Sequence, residues 1–182
     1  MQVKSWCPTL GPQYGFVITH DESTTIANYF TVEEEGKAIY RPTVHYAYHP
    51  TPETIASTLD VLGTGIIPDE SKWKILEKEI VTGFDELGVL IFGHAKNAYW
   101  YGSQLEIEST RKRAPNQNAT ALQVTSAVIA GMAWALKNPE AGYVECDELD
   151  YKECLEIQHE YISPVNGFYT DWTPLKHRLL ES

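Results

Sequence analysis

The chain has 182 residues, 43% of them hydrophobic, which is enough for one sizeable core and excludes a disordered polymer. Its 25 acidic residues against 14 basic ones give a formal net charge of −11. That balance excludes a nucleic-acid-binding surface, because phosphate recognition needs clustered Lys and Arg, and Arg111-Lys112-Arg113 reads as a solvated helix end.

The N-terminal Met1-Gln-Val-Lys-Ser-Trp-Cys-Pro8 has no apolar run and no small-residue cleavage site, so it does not read as a secretory leader. Cys7, Cys146 and Cys154 are odd in number and lack Cys-x-x-Cys spacing, which leads to an expectation of reduced thiols in a cytoplasmic protein. Residues 15–19 predict a short strand, and Asp21 or Ser23 caps a helix running to about Phe30. Glu33-Glu-Glu-Gly36 is a charged turn. Residues 38–48 predict one strand with Val44, Tyr46 and Tyr48 on one face and His45 and Ala47 on the other, Pro42 marking an edge or early position. Thr51 and Pro52 open a helix to about Leu62, and a loop follows over residues 63–69.

Residues 73–81 predict a strand. Residues 89–92 and 98–102 predict two more, joined by a turn at Gly93-His-Ala-Lys-Asn97. A short charged helix, 106–113, ends before Pro115. Asn116-Gln-Asn118 caps a long helix that Asn138-Pro139 stops. Its apolar stretch, 119–136, carries Thr120, Gln123, Thr125 and Ser126 and lacks the aliphatic density of a membrane span, so a buried core helix and no membrane contact are expected. Residues 142–146 predict a strand, 149–159 an amphipathic helix, and an aromatic segment, 161–172, closes the chain. With no repeat, low-complexity tract or linker, the order of elements predicts a single domain over residues 1–182. Its class is α+β, a mixed, largely antiparallel sheet with helices packed on it. No strand is followed by Gly-x-Gly-x-x-Gly, and no phosphate-binding loop is present, so a Rossmann domain is not expected within this chain.

The densest chemistry lies between Phe84 and Gln104, where Asp85, Glu86, His94, Lys96, Asn97, Tyr99, Trp100 and Tyr101 fall within 21 residues. Carboxylates and aromatic faces both stabilise positive charge, so the segment reads as a site for a cationic ligand, against the alternative of solvated carboxylates and packed aromatics. Asp85 and Glu86 are adjacent and point to opposite strand faces; Tyr99 and Tyr101 share a face with Trp100 opposite. His45 and His49 are four apart, but the intervening Tyr-Ala-Tyr and the following Pro50 favour an extended strand that splits a metal-ligand pair, so no metal site is expected. His45 reads instead as a hydrogen-bonding or proton-transfer group, or as a core histidine.

At these residues the chain resembles bacterial homospermidine synthase. The resemblance is carried by Ser5-Trp-Cys-Pro-Thr9, Gly15-Phe-Val-Ile-Thr-His20, Tyr40-Arg-Pro-Thr43, His45-Tyr-Ala-Tyr-His-Pro50, Asp85-Glu-Leu-Gly-Val-Leu90, residues 94–105, Gln117-Asn-Ala-Thr120 with Leu122-Gln-Val-Thr-Ser-Ala127, and Tyr169-Thr-Asp-Trp-Thr-Pro174. It covers nearly the whole chain but matches only the C-terminal, saccharopine dehydrogenase-like portion of the family, which supplies substrate pocket and dimer contacts beside an N-terminal Rossmann domain. The resemblance implies NAD as cofactor, bound mainly outside this chain, and putrescine or related diamines as substrates. One amine is oxidised to an imine by hydride transfer to NAD, ammonia leaves, a second putrescine forms a Schiff base, and the NADH reduces it to homospermidine.

It further implies a homodimer, and a Rossmann domain either lost by truncation or supplied by a separate polypeptide. The site residues it points to are His45, Asp85, Glu86 and Lys96 as catalytic groups, and His94, Asn97, Tyr99, Trp100 and Tyr101 as substrate-binding groups. Asn118 and Thr120 are its cofactor contacts. Position 121 is Ala where the family pattern has Gly. Two alternatives stay open: a non-catalytic polyamine-binding or dimerisation module, and a decayed reading frame.

Overall fold

In a computed structural model of the chain, described for residues 1–76 and 78–175, two compact units form: Met1–Lys72 with Pro174 and Leu175, and Trp73–Thr173. In the first, β1 (Gln2–Cys7) pairs antiparallel with β2 (Gly11–Ile18), and β2 pairs antiparallel with β5 (Tyr46–Tyr48). The N-terminal strand was not foreseen, because the polar–apolar alternation of Gln2-Val3-Lys4 breaks at Ser5.

The expected helix after Asp21 is α1 (Glu22–Tyr29). The expected single strand 38–48 is two. Strand β4 (Lys37–Tyr40) pairs with β3 (Val32–Glu34) in a hairpin, while β5 belongs to the other sheet. Glu35 and Gly36 both hold positive φ, 50° and 72°, the conformation of a tight hairpin turn. Pro42 then offers no N–H to a ladder and disfavours continued regular pairing. Helix α2 (Pro52–Thr64) starts where expected, with Thr51 Oγ1 accepting from Thr54 N at 3.4 Å.

The second unit is built on a three-stranded antiparallel sheet ordered β6 (Phe84–His94), β7 (Asn97–Glu106), β8 (Val165–Thr170). The hairpin β6–β7 is longer than the two runs foreseen, and the closing aromatic segment supplies β8. Helices α3 (Ile107–Arg113), α4 (Ala119–Lys137) and α5 (Tyr151–Ile162) complete it, with α5 packed along α4. The strand expected over 73–81 is absent among its described residues. There Ile75 is 83% exposed, and alternating charges give no face to bury. The strand expected over 142–146 is also absent; a one-turn 3-10 helix, Cys146–Glu148, stands at its end, with Glu148 Oε2 accepting from Glu145 N. Every strand pairing among the described residues is antiparallel, so the α+β class holds, and no parallel β-α-β unit of the Rossmann type is present among them.

The core of this unit is Leu105, Ala119 and Leu122, with Ala114 and Tyr161 packed against it. Full burial of Leu105 alone contributes on the order of 2 kcal/mol of transfer free energy. Helix α4 is long and apolar enough to cross a membrane by length and composition. Ala119, Leu122, Gln123, Ser126 and Ala130 recur along it at helical spacing and are buried, whereas Val124, Val128, Met132 and Leu136 are exposed, so the expected core helix buries only one stripe.

Candidate functional site

Register and the two-residue period of a strand sort the dense segment into two faces. Glu86 pairs with Gln104, Gly88 with Gly102, Leu90 with Trp100, and Trp100 with Phe168, so these side chains share one face. Asp85 pairs with Leu105, Leu87 with Ser103, Val89 with Tyr101, and Tyr99 with Tyr169, which form the other. The separation of the two carboxylates expected from their adjacency therefore holds.

On the first face Glu86 Oε1 accepts from Gln104 Nε2 at 2.6 Å. Trp100 lies flat over Gly88 and Gly102. A Cβ on Gly88 would sit 2.5 Å from the indole, and one on Gly102 would sit 2.4 Å from the Gly88 Cα. The indole is thereby 3% exposed, its ring packed against the sheet. The cause is the pair of facing glycines, whose missing side chains leave a slot the ring fills.

On the second face α4 is fastened to the sheet. Thr120 Oγ1 donates to Asp85 Oδ2 at 2.5 Å, and Gln123 Nε2 donates to Ser103 Oγ at 2.8 Å. Asn118 Oδ1 accepts from Ala121 N at 2.8 Å as the cap of α4. Asn118 and Thr120, expected as cofactor contacts, thus have helix-capping and helix-docking partners here. Ala121 sits at the third position of the helix, where Ala supports the first turn better than Gly. Gln123, buried and bonded to Ser103, was missed; a lone amide on the apolar stripe of α4 was the available signal.

At the hairpin end, Asn97 takes φ 68° and donates from Nδ2 to Asp171 Oδ1 at 2.8 Å. The backbone N–H of Lys96 donates to His94 Nδ1 at 3.1 Å. Lys96 Nζ stands 5.1 Å from the centroid of the Tyr169 ring, and Tyr169 contacts Tyr99 at 4.7 Å between centroids. So His94, Lys96, Asn97 and Tyr99 are brought together, and with them come Tyr169 and Asp171, which the sequence reading placed in a family-like motif without giving them a site role. Their two-residue spacing in the closing aromatic segment was the available signal. Tyr101 lies on the same face as Tyr99 and is 40% exposed. His45 belongs to the other unit, exposed just before β5; His49 Nδ1 there donates to the Tyr14 carbonyl at 2.8 Å.

What the described residues offer chemically is a sheet with Asp85 on one face, Glu86 and Glu106 on the other, and an aromatic corner with Asp171 at its hairpin end. A dinucleotide cradle is not among them, since that needs a Gly-rich turn between a parallel strand and a helix.

Comparison with known proteins agrees with the motif reading. The family profile of the saccharopine dehydrogenase C-terminal domain matches residues 1–168. The homospermidine synthase of Blastochloris viridis is 59% identical over 179 residues, covering 97% of this chain and 37% of that protein. That of Mesorhizobium japonicum is 57% identical over 178 residues, with the same shares. A crystal structure of homospermidine synthase from Legionella pneumophila in complex with NAD matches with a TM-score of 0.91 at 44% identity, covering 100% of this chain and 39% of that one. The chain therefore spans between a third and two fifths of the length of these relatives. The chain belongs to the saccharopine dehydrogenase C-terminal domain family.

Proposed function

We propose that this chain is the C-terminal, substrate-contacting part of an NAD-dependent homospermidine synthase, acting on putrescine or a related diamine in the cytoplasm. The observation that carries this reading is its likeness to two homospermidine synthases at 59% and 57% identity across 97% of its residues. In this reading the chain is one domain that contributes subunit contacts to a homodimer. The described residues do not fit NAD themselves, so the cofactor is held by a Rossmann domain outside this chain, on a separate polypeptide or segment. Of the candidate catalytic groups, Asp85 and Glu86 are proposed as the carboxylates that meet substrate ammonium groups, each already oriented by one hydrogen bond, Asp85 from Thr120 and Glu86 from Gln104. His45 is the proposed proton carrier.

The test combines the purified chain with the NAD-binding segment of a homologous homospermidine synthase, putrescine and NAD, and reads homospermidine by mass spectrometry. The chain alone is expected to give none and the combination to give product. A combination that stays inactive, where the intact homologue turns over, refutes the catalytic reading. The second reading is a non-catalytic polyamine-binding or dimerisation module, to which the lack of a dinucleotide cradle among the described residues is equally suited. That reading predicts putrescine binding by calorimetry with no turnover in any combination.

A further inference from the structure

We propose that Tyr169 and Asp171 form a seat for a primary alkylammonium, held in the free chain by Lys96 and opened when a diamine displaces that side chain. The geometry is specific. Tyr99 and Tyr169 are cross-strand partners, with rings 4.7 Å apart and inclined by 50°. Tyr99 can lie against the strand because residue 167 is glycine; any Cβ there would overlap the Tyr99 phenol. This props the Tyr169 ring at the sheet surface, 61% exposed and open to a small cation.

Lys96 Nζ, 5.1 Å from the ring centroid, shows that an alkylammonium fits over this face. Two residues beyond Tyr169, Asp171 Oδ1 accepts from Asn97 Nδ2 at 2.8 Å, and Lys96, although over the ring, makes no ion pair with that carboxylate. A ring face and an anchored carboxylate are what an ammonium at the end of an alkyl chain requires. Lys96 is a weak occupant. An exposed cation–π contact gains little, and ordering a long lysine side chain opposes it. Butane-1,4-diamine carries the same ammonium on the same four-carbon stem and brings a second charge. Lys96 is thus the internal competitor of the ligand and not a proton carrier. That the ligand is a diamine rests on the function proposed above; the seat itself is a property of this corner.

The experiment is a putrescine titration of the purified chain, without NAD, followed by the ring signals of Tyr169 in NMR. Lys96→Met is expected to bind putrescine about two- to fivefold tighter than the wild type, the release of one exposed cation–π competitor. Tyr169→Leu or Asp171→Asn in the Lys96→Met background should remove the gain, while Tyr169→Phe, which keeps the ring face and the strand, should keep most of it. Butane-1,4-diol should leave the ring signals unmoved. The proposal is overturned if Lys96→Met binds no tighter, if the gain survives Tyr169→Leu, or if the diol shifts the same signals. Because nothing here depends on turnover, a failed product assay leaves the seat standing, and a failed titration leaves the product assay standing.

Discussion

Thr120 on the first turn of α4 donates its hydroxyl to the Asp85 carboxylate at 2.5 Å, so one member of the Asp85-Glu86 pair is tied to a helix while its neighbour faces the opposite side of the sheet. The bond joins the start of a 19-residue helix to the start of the longest strand. Thr120→Val keeps the shape and removes the donor. At this exposed position it should lower stability by about 1 kcal/mol, the size of one ordinary hydrogen bond. Urea unfolding of the two proteins checks it, and an unchanged midpoint would show that the bond does not fasten the helix.

The slot that holds Trp100 makes a sharper prediction. Gly102→Ala would place a Cβ 2.2 Å from the Leu87 carbonyl oxygen and 2.8 Å from the indole. Neither strand backbone nor a packed ring can give that much, so a loss of about 3 kcal/mol or more is expected, at the upper end of overpacking effects. Emission of Trp100, now 3% exposed, should shift to longer wavelength as the ring is expelled.

How far the chain was legible follows from the same physics. The β6–β7 hairpin, α2 and α4 were read correctly because each carries its own signal: β-branched and aromatic runs around a Gly-to-Asn turn, Thr51-Pro52, and Asn118 before an apolar stripe. The two carboxylate faces were read from strand period alone. The segments 73–81 and 142–146 were misread because apolar residues in a short polar stretch look like a strand until no neighbour offers hydrogen bonds. The break of 38–48 was foreshadowed by Pro42, but the reassignment of Tyr46–Tyr48 to a sheet with β2 depends on a partner 28 or more residues earlier. Tyr169, Asp171 and Gln123 gain meaning only from residues brought beside them by the sheet.

In the first unit, a hydrogen bond from the His20 imidazole, followed by a local backbone hydrogen bond, holds the Glu22 carboxyl below its ordinary value of 4.5. A depressed carboxyl stabilises the fold at pH above the ordinary value, and that contribution disappears as pH falls through the folded value. His20→Ala should therefore raise the Glu22 titration midpoint toward 4.5, read from its side-chain carboxyl carbon by NMR. The two side chains are 43% and 52% exposed, so solvent screening keeps the accompanying stability change below about 1 kcal/mol.

Burial pushes the thiols of Cys146 and Cys154 up, reinforced by Asp147 beside the first and by Glu153 and Asp150 beside the second. The thiolate is the reactive form. Cys146, although exposed, should thus react with a disulfide reagent at pH 7.5 more slowly than free cysteine. Asp147→Asn should recover part of the rate, and stopped-flow absorbance resolves the two.

The alternation along β6 also constrains how this gene can change length. Removing one residue between Asp85 and Gly88 would either move the carboxylate side of the strand to the other face or, with that side held, bring a side chain in place of Gly88 into the slot beneath Trp100. Two-residue changes would keep the faces but shift the glycine out of line with Gly102. Among related sequences, insertions and deletions should therefore gather in the turn 93–97 and be missing from residues 85–88, a pattern that an alignment can show without any protein being made.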